Sequence, residues 1–277
     1  NSKGLRDTEH NYTSNKTRYA ILGDSFVESR QVALKETSGK LLEKYLGKEV
    51  ILMGLSGYGT TGEVIYFETE GIKYHPDVLL WYIFAGSDIS KVDFGTAGNI
   101  SIDIFKNNLD LGKYNFSVTK KQRLKNFLNQ NFFLRTFLIM NLRNSGVYDN
   151  DILSYERNWS GAMEKNLEKF NVTVAHLKQF TDNKGIKMAV VIVPSKEQVS
   201  DFHYQRMLFY TGRTDLDRYK SHEAVLDVVE SLGIEYIDLL PELQERHEML
   251  YFDYDGHWNK EGNKLVANIL LNKLKGE

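Results

Sequence analysis

Apolar residues fall along this chain in short continuous runs separated by longer stretches of helical spacing. Tyr19 to Leu22, Val50 to Leu55, Asp77 to Ala85, Lys187 to Val193 and Ile234 to Leu239 are rich in aliphatic and aromatic residues and bounded by glycine, proline or charge. Such runs predict five strands. Asp77 to Ala85, the most continuous of them, does not alternate polar with apolar, so both of its faces are expected to be covered, as in a parallel sheet under helices. Between the runs, Leu34, Leu41, Leu42, Tyr45 and Leu46 give Val32 to Leu46 a helical period that stops at Gly47. Helices are likewise predicted over Glu63 to Glu70, Gly161 to Phe180 (ending near Gly185), Leu216 to Leu232 and Gly262 to Leu274. The alternation predicts an α/β fold: a doubly wound, mostly parallel five-stranded sheet flanked by helices, without internal repeats.

Two stretches stand outside this rhythm. Asn1 to Lys16 is polar and charged and reads as a loose lead-in. The rest, 17–277, reads as a single domain interrupted after the third strand by an insertion at about 90–159. Within it, Lys121 to Leu142 carries Phe127, Phe132, Phe133, Leu134, Phe137, Leu138 and Met140 at helical spacing. This predicts a helical cap near the carboxyl edge of the sheet, with an extra core helix on its outer face as the alternative.

Composition narrows the classes. With 42% hydrophobic and 26% charged residues over 277 positions, the chain is that of an ordinary globular protein. A formal charge of −2 gives no general attraction for nucleic acid or anionic membranes. The chain has no cysteine, which excludes disulfides, thiolate metal sites and cysteine nucleophiles. Val78 to Ala85, the longest apolar run, is far shorter than the ~20 residues that span a bilayer.

The strand ends carry the candidate chemistry. The first strand stops at Gly23-Asp24-Ser25, which displays a serine at the carboxyl edge, where open α/β sheets hold their ligands. The second runs into Ser56-Gly57-Tyr58-Gly59-Thr60-Thr61-Gly62, and the third into Gly86-Ser87-Asp88. Near the C-terminus stands Asp253-Tyr254-Asp255-Gly256-His257-Trp258. A serine becomes a nucleophile at neutral pH when a histidine oriented by a carboxylate takes its proton. Asp255 is two residues from His257, and Asp253 is a second candidate for the orienting carboxylate.

In this order the blocks resemble the SGNH, or GDSL, hydrolase family over Tyr19 to about Asp88 and again from Lys187 to the C-terminus. The resemblance implies Ser25 as nucleophile, His257 as general base, and the backbone N–H groups of Ser25 and Gly57 as oxyanion-hole donors. The family's asparagine donor in the third block is replaced here by Ser87, whose hydroxyl has a shorter reach. The Asp-x-His-Trp form is similar to that of bacterial polysaccharide O-acetylation proteins, which implies Asp255 rather than Asp253 as the orienting residue. Lys196 and Glu197, after the fourth strand, fall in a stretch that also resembles those proteins and are candidate contacts to a polar substrate. The alternative is that they are ordinary solvated loop residues. Tyr58, Tyr204 and Trp258 offer flat faces for sugar rings, with at least two of them expected to pack in the core.

His10, His75, His176, His203, His222 and His247 form no close pair of metal-ligand spacing, and neither metal nor organic cofactor is expected. The implied activity is that of a serine esterase acting on O-acyl, chiefly O-acetyl, groups of a carbohydrate through an acyl-enzyme. A polysaccharide O-acetyltransferase with the same triad and a non-catalytic SGNH-fold binding or scaffold protein are the alternatives. The implied partners are an acylated carbohydrate or small ester and envelope polysaccharide-modification proteins. The chain begins at Asn1 rather than methionine, and the expected setting is periplasmic, extracellular or membrane-anchored, with the targeting segment absent from this chain.

Overall fold

The computed structural model describes residues 1–93, 152–246 and 249–275. Five strands, β1 (Arg18–Gly23), β2 (Glu49–Gly54), β3 (Val78–Phe84), β4 (Lys187–Val193) and β5 (Glu235–Asp238), form one sheet in the order β2-β1-β3-β4-β5. All four pairings are parallel. The five expected strands are therefore present, with β4 at its predicted bounds and the others shifted at their ends by a residue or two.

Alternate residues of β1 to β4 enter different layers, which is why these strands show no alternation in sequence; edge strand β5 buries only Ile237. Ala20, Leu22, Ile51, Met53, Leu79, Trp81 and Val190 face one core. There they meet Val64 and Phe67 of α3 (Thr60–Thr69) and Phe170, Val174 and Leu177 of α4 (Gly161–Lys184). Tyr19, Ile21, Val50, Leu52, Leu80, Tyr82 and Val191 face the other, against Phe26 and Val27 of α1 (Ser25–Glu28) and Leu42 of α2 (Ser38–Leu46). Val266 and Leu270 of α9 (Lys260–Lys275) complete that layer.

The helix expected from Val32 begins at Ser38 instead. Thr37 is extended, at φ −68 and ψ 148, and its hydroxyl accepts the Lys40 N–H as the N-cap of α2, so only a 3-10 turn over Leu34–Glu36 precedes it. After β4 come two short helices that periodicity did not reveal, α5 (Lys196–Val199) and α6 (Asp201–Thr211). They are followed by α7 (Lys220–Ser231) and, beyond β5, α8 (Leu240–Gln244). The helical cap expected over Lys121 to Leu142 lies outside the described residues, as does His247.

The lead-in is docked, not loose. Leu5 is buried, and the Asp7 carboxylate accepts the N–H of Leu52 at 2.8 Å on β2, the edge strand. Glu43 accepts the N–H of Val50 at 3.1 Å on the same edge. An exposed edge leaves backbone donors unpaired, and here side chains satisfy them. His10 bridges Asp7 and Glu49, Lys40 pairs with Asp7, and Arg6 donates to the carbonyls of Glu28, Ser29 and Val32. The polar composition of the segment served this network.

Candidate active site

β1 is flanked by β2 on one side and β3 on the other, so the chain reverses direction of winding beside it. Its carboxyl end is the switch point where such sheets open a crevice. Ser25 stands there as the first residue of α1. Asp24 caps that single turn, its carboxylate accepting the Phe26 N–H at 2.9 Å and the Ser25 hydroxyl at 3.4 Å. Burial raises the Asp24 carboxyl against the pull of the Phe26 N–H and of His257. The turn rests directly on β2: a Cβ on Gly54 would come within 2.2 Å of the Glu28 nitrogen, so the close approach requires glycine.

Before α9 the chain forms a loop closed by a bridge between Tyr251 and Trp258 and by the Phe252 N–H donating to the His257 carbonyl. Trp258 is fully buried, edge-on to Phe26 at 4.7 Å and to Tyr82 at 6.3 Å. It anchors the loop from below and offers no face to a sugar. His257, one residue earlier, packs on Phe26 with ring centroids 5.0 Å apart and brings Nε2 to 2.6 Å from Ser25 Oγ. Its Nδ1 meets Asp255 Oδ1, which also accepts the His257 backbone N–H at 3.0 Å. Burial alone would raise the Asp255 carboxyl. The hydrogen bond and charge of His257, with the backbone N–H and Gln31, outweigh it and hold the group at about 2.

Asp253 takes no part in this pair. Its backbone carbonyl instead accepts Lys196 Nζ at 3.1 Å and Arg206 Nη2 at 2.7 Å, so two cations from the β4 side tether the loop that carries Asp255. Lys196 is itself buried, its ammonium lowered by desolvation, and its contact is to the loop. Glu197 is half-buried with its carboxyl raised by desolvation, and its backbone carbonyl accepts Arg218 at 2.7 Å. Tyr58 is 38% exposed, and the Tyr204 hydroxyl donates to the Leu216 carbonyl at 3.3 Å. His203 is buried, its imidazole lowered to about 4 by desolvation and by the charges of Lys196 and Arg206.

Gly57 sits three residues past Gly54, the partner of Gly23, and adopts φ +82, which favours glycine. The Leu55 N–H donates to the Gly23 carbonyl at 2.9 Å, so the loops carrying Ser25 and Gly57 leave the sheet side by side. Ser87, after β3, is buried; its N–H donates to the Phe84 carbonyl, and its hydroxyl makes no hydrogen bond among the described residues. Asp88 accepts the Phe84 N–H at 2.7 Å. The nucleophile candidate, the histidine and Asp255 are thus assembled by contact, while Gly57 and Ser87 are placed by the strand ends they follow.

Sequence reasoning passed over Gln31. Its Nε2 lies 2.9 Å from His257 Nδ1 and 3.4 Å from Asp255 Oδ2. No local signal marks it, because it stands in the loop after α1 and its partners are more than two hundred residues away. Among the described residues no three His, Asp or Glu side chains are grouped to hold a metal ion.

A parallel sheet in this order, with a serine turn after its first strand and an Asp-x-His loop before its last helix, is the SGNH, or GDSL, hydrolase fold, and the chain has that fold. An acetyl xylan esterase superposes with a TM-score of 0.52 at 12% identity, covering 93% of this chain and 99% of its own. A G-D-S-L family lipolytic protein from Desulfitobacterium hafniense gives 0.51 at 12% identity over 92% and 98%. A lipase/acylhydrolase from Enterococcus faecalis gives 0.51 at 12% over 94% and 96%. Residues 153–277, a little under half of the chain, match the family described as SGNH hydrolase-like domain, acetyltransferase AlgX. That match includes Asp255 and His257 but stops short of Ser25. The likeness to these structures is one of fold, and the family match is confined to 153–277. No curated protein matches the chain.

Proposed function

We propose that the protein is a serine-dependent acyl-transfer enzyme that removes O-acetyl groups from a carbohydrate, or moves them onto one. The observation that carries this reading is the contact of Ser25 Oγ with His257 Nε2 at 2.6 Å while Asp255 holds Nδ1. Ser25 Oγ attacks the ester carbonyl and its proton passes to Nε2; Asp255 stabilises the imidazolium that forms. The N–H groups of Ser25 and Gly57 and the hydroxyl of Ser87 receive the developing oxyanion, each donor of this kind being worth roughly 10²- to 10³-fold in turnover. Collapse breaks the ester C–O bond, and the leaving sugar oxygen takes the proton from Nε2. Water or a second sugar hydroxyl, deprotonated by the same nitrogen, then attacks the acyl-Ser25 carbonyl and frees the serine.

The likeness to an acetyl xylan esterase in fold and to an acetyltransferase family in the C-terminal part supports acetyl as the group and carbohydrate as the class of carrier. The first reading is hydrolysis. Transfer is the second, favoured by the family match over 153–277. The two are separated by measuring acetate release from an artificial acetyl ester with and without a glycan acceptor: acetyl appearing on the glycan selects transfer, and unchanged acetate yield selects hydrolysis. Mass spectrometry after a fluorophosphonate probe tests the nucleophile itself. An adduct on Ser25 is expected; a folded protein with no adduct there overturns the enzymatic reading and leaves a binding or scaffold role. A further part of the proposal is that the protein acts on envelope polysaccharide beyond the cytoplasm, which fractionation of the source cells checks.

A further inference from the structure

Two groups compete for one ring nitrogen in this site. Asp255 presents a carboxylate to His257 Nδ1, which favours a hydrogen on that nitrogen. Gln31 presents an amide N–H to the same nitrogen at 2.9 Å, which favours a bare Nδ1. Its second contact, 3.4 Å to Asp255 Oδ2, draws on the carboxylate that stabilises the imidazolium. The Gln31 carbonyl oxygen is buried with no hydrogen-bond partner among the described residues, so the amide is held in place by what its N–H groups meet. An N–H aimed at Nδ1 moves the ring hydrogen toward Nε2, the nitrogen that must be bare to take the proton of Ser25.

We propose that Gln31 is a positioning residue that acts through His257, opposing Asp255 at Nδ1 and thereby setting how readily the imidazole holds a second proton. This rests on the reading of Ser25, His257 and Asp255 given above. The other charged groups facing the ring are Asp24, at the start of α1, and Asp255; Lys196 acts on the pair from the β4 side. All of these stay in place when Gln31 is changed.

The test is a pair of variants, Gln31→Leu and Gln31→Glu. Loss of the N–H removes the opposition, so in Gln31→Leu the acidic limb of kcat/KM for a small acetyl ester moves to higher pH, by about half a unit. Gln31→Glu, nearly isosteric, adds a carboxylate and moves the limb further in the same direction. A readout independent of turnover is the NMR titration of the His257 ring protons in a Ser25→Ala background, where the midpoint shifts upward in the same order. A midpoint that stays still or moves down in Gln31→Glu overturns the inference. Upward midpoints in the variants, together with a wild-type protein that neither turns over ester nor labels with fluorophosphonate, uphold it while removing the acyl-transfer reading.

Discussion

At the scale of single residues, Asp255 and Asp253 separate cleanly because they spend their oxygens differently. The Asp255 side chain receives His257 twice, through the ring and the backbone, whereas Asp253 offers only its main-chain carbonyl, to Lys196 and Arg206. Asp255→Asn is expected to lower kcat by roughly 10³- to 10⁴-fold, because the amide holds the imidazole in the wrong tautomer. Asp253→Asn is expected to stay within about threefold of wild type, since a backbone contact survives the change. Turnover of an artificial ester by the two variants checks both. The folded-state carboxyl of Asp255 is held at about 2, below its unfolded value. Its contribution to stability is therefore present above the unfolded pKa of about 4 and is lost as pH falls toward 2. The difference in melting temperature between wild type and Asp255→Asn should shrink over that interval. The meeting of Ser25, His257 and Asp255 was legible in the sequence because a serine after the first strand and an Asp-x-His before the last helix have a recognisable order. Gln31 was not legible, because its role exists only where the loop after α1 meets a loop from the other end of the chain.

At the scale of elements, what could be read followed from burial. Strands β1 to β4 are covered on both faces, so their apolar runs are legible without any knowledge of partners. Helix α6 went unread because it buries only His203 and exposes Phe202, Phe209 and Tyr210, a pattern that carries no amphipathic period. Trp258 is one of the aromatics that pack in the core, its surroundings being set by Phe26 and Tyr82 from remote elements. Helix α3 holds a further consequence of burial. Glu63 is fully buried, accepts the Trp81 indole N–H at 2.8 Å on one oxygen and has no partner for the other among the described residues. Burial, and then the carboxyls of Asp88 and Asp24, push it well above the usual carboxylate range. A raised folded pKa gives stability that is complete below the unfolded value of about 4.3 and is lost as pH rises through the folded one. Glu63→Gln retains an acceptor for Trp81 and has no charge to bury. Its melting temperature should match wild type at pH 4 and exceed it by at least about 2 °C at pH 8. A lower melting temperature at pH 8 would show that the ionised carboxylate is being stabilised.

At the scale of the whole molecule, the N-terminal segment joins the outer edge of the sheet to the crevice at its carboxyl end. Asp7 closes the β2 edge and neutralises Lys40, both side chains being almost wholly buried. Arg6, one residue earlier, holds the carbonyls of Glu28, Ser29 and Val32, which bracket Gln31. The two residues should fail differently. Asp7→Ala leaves a buried ammonium with less charge to meet and orphans the Leu52 N–H, at a cost of about 3 kcal/mol, read as a lower urea midpoint. The molecules that remain folded should label Ser25 at the wild-type rate, because the loop after α1 keeps its clamp. Arg6→Ala frees three carbonyls of that loop and lets Gln31 leave the Asp255–His257 pair. Its labelling rate should therefore acquire the pH dependence of Gln31→Leu even at low temperature, where the fold is intact. Equal effects of both variants on labelling would mean that the edge and the site soften together, and that the segment acts as one staple rather than as two.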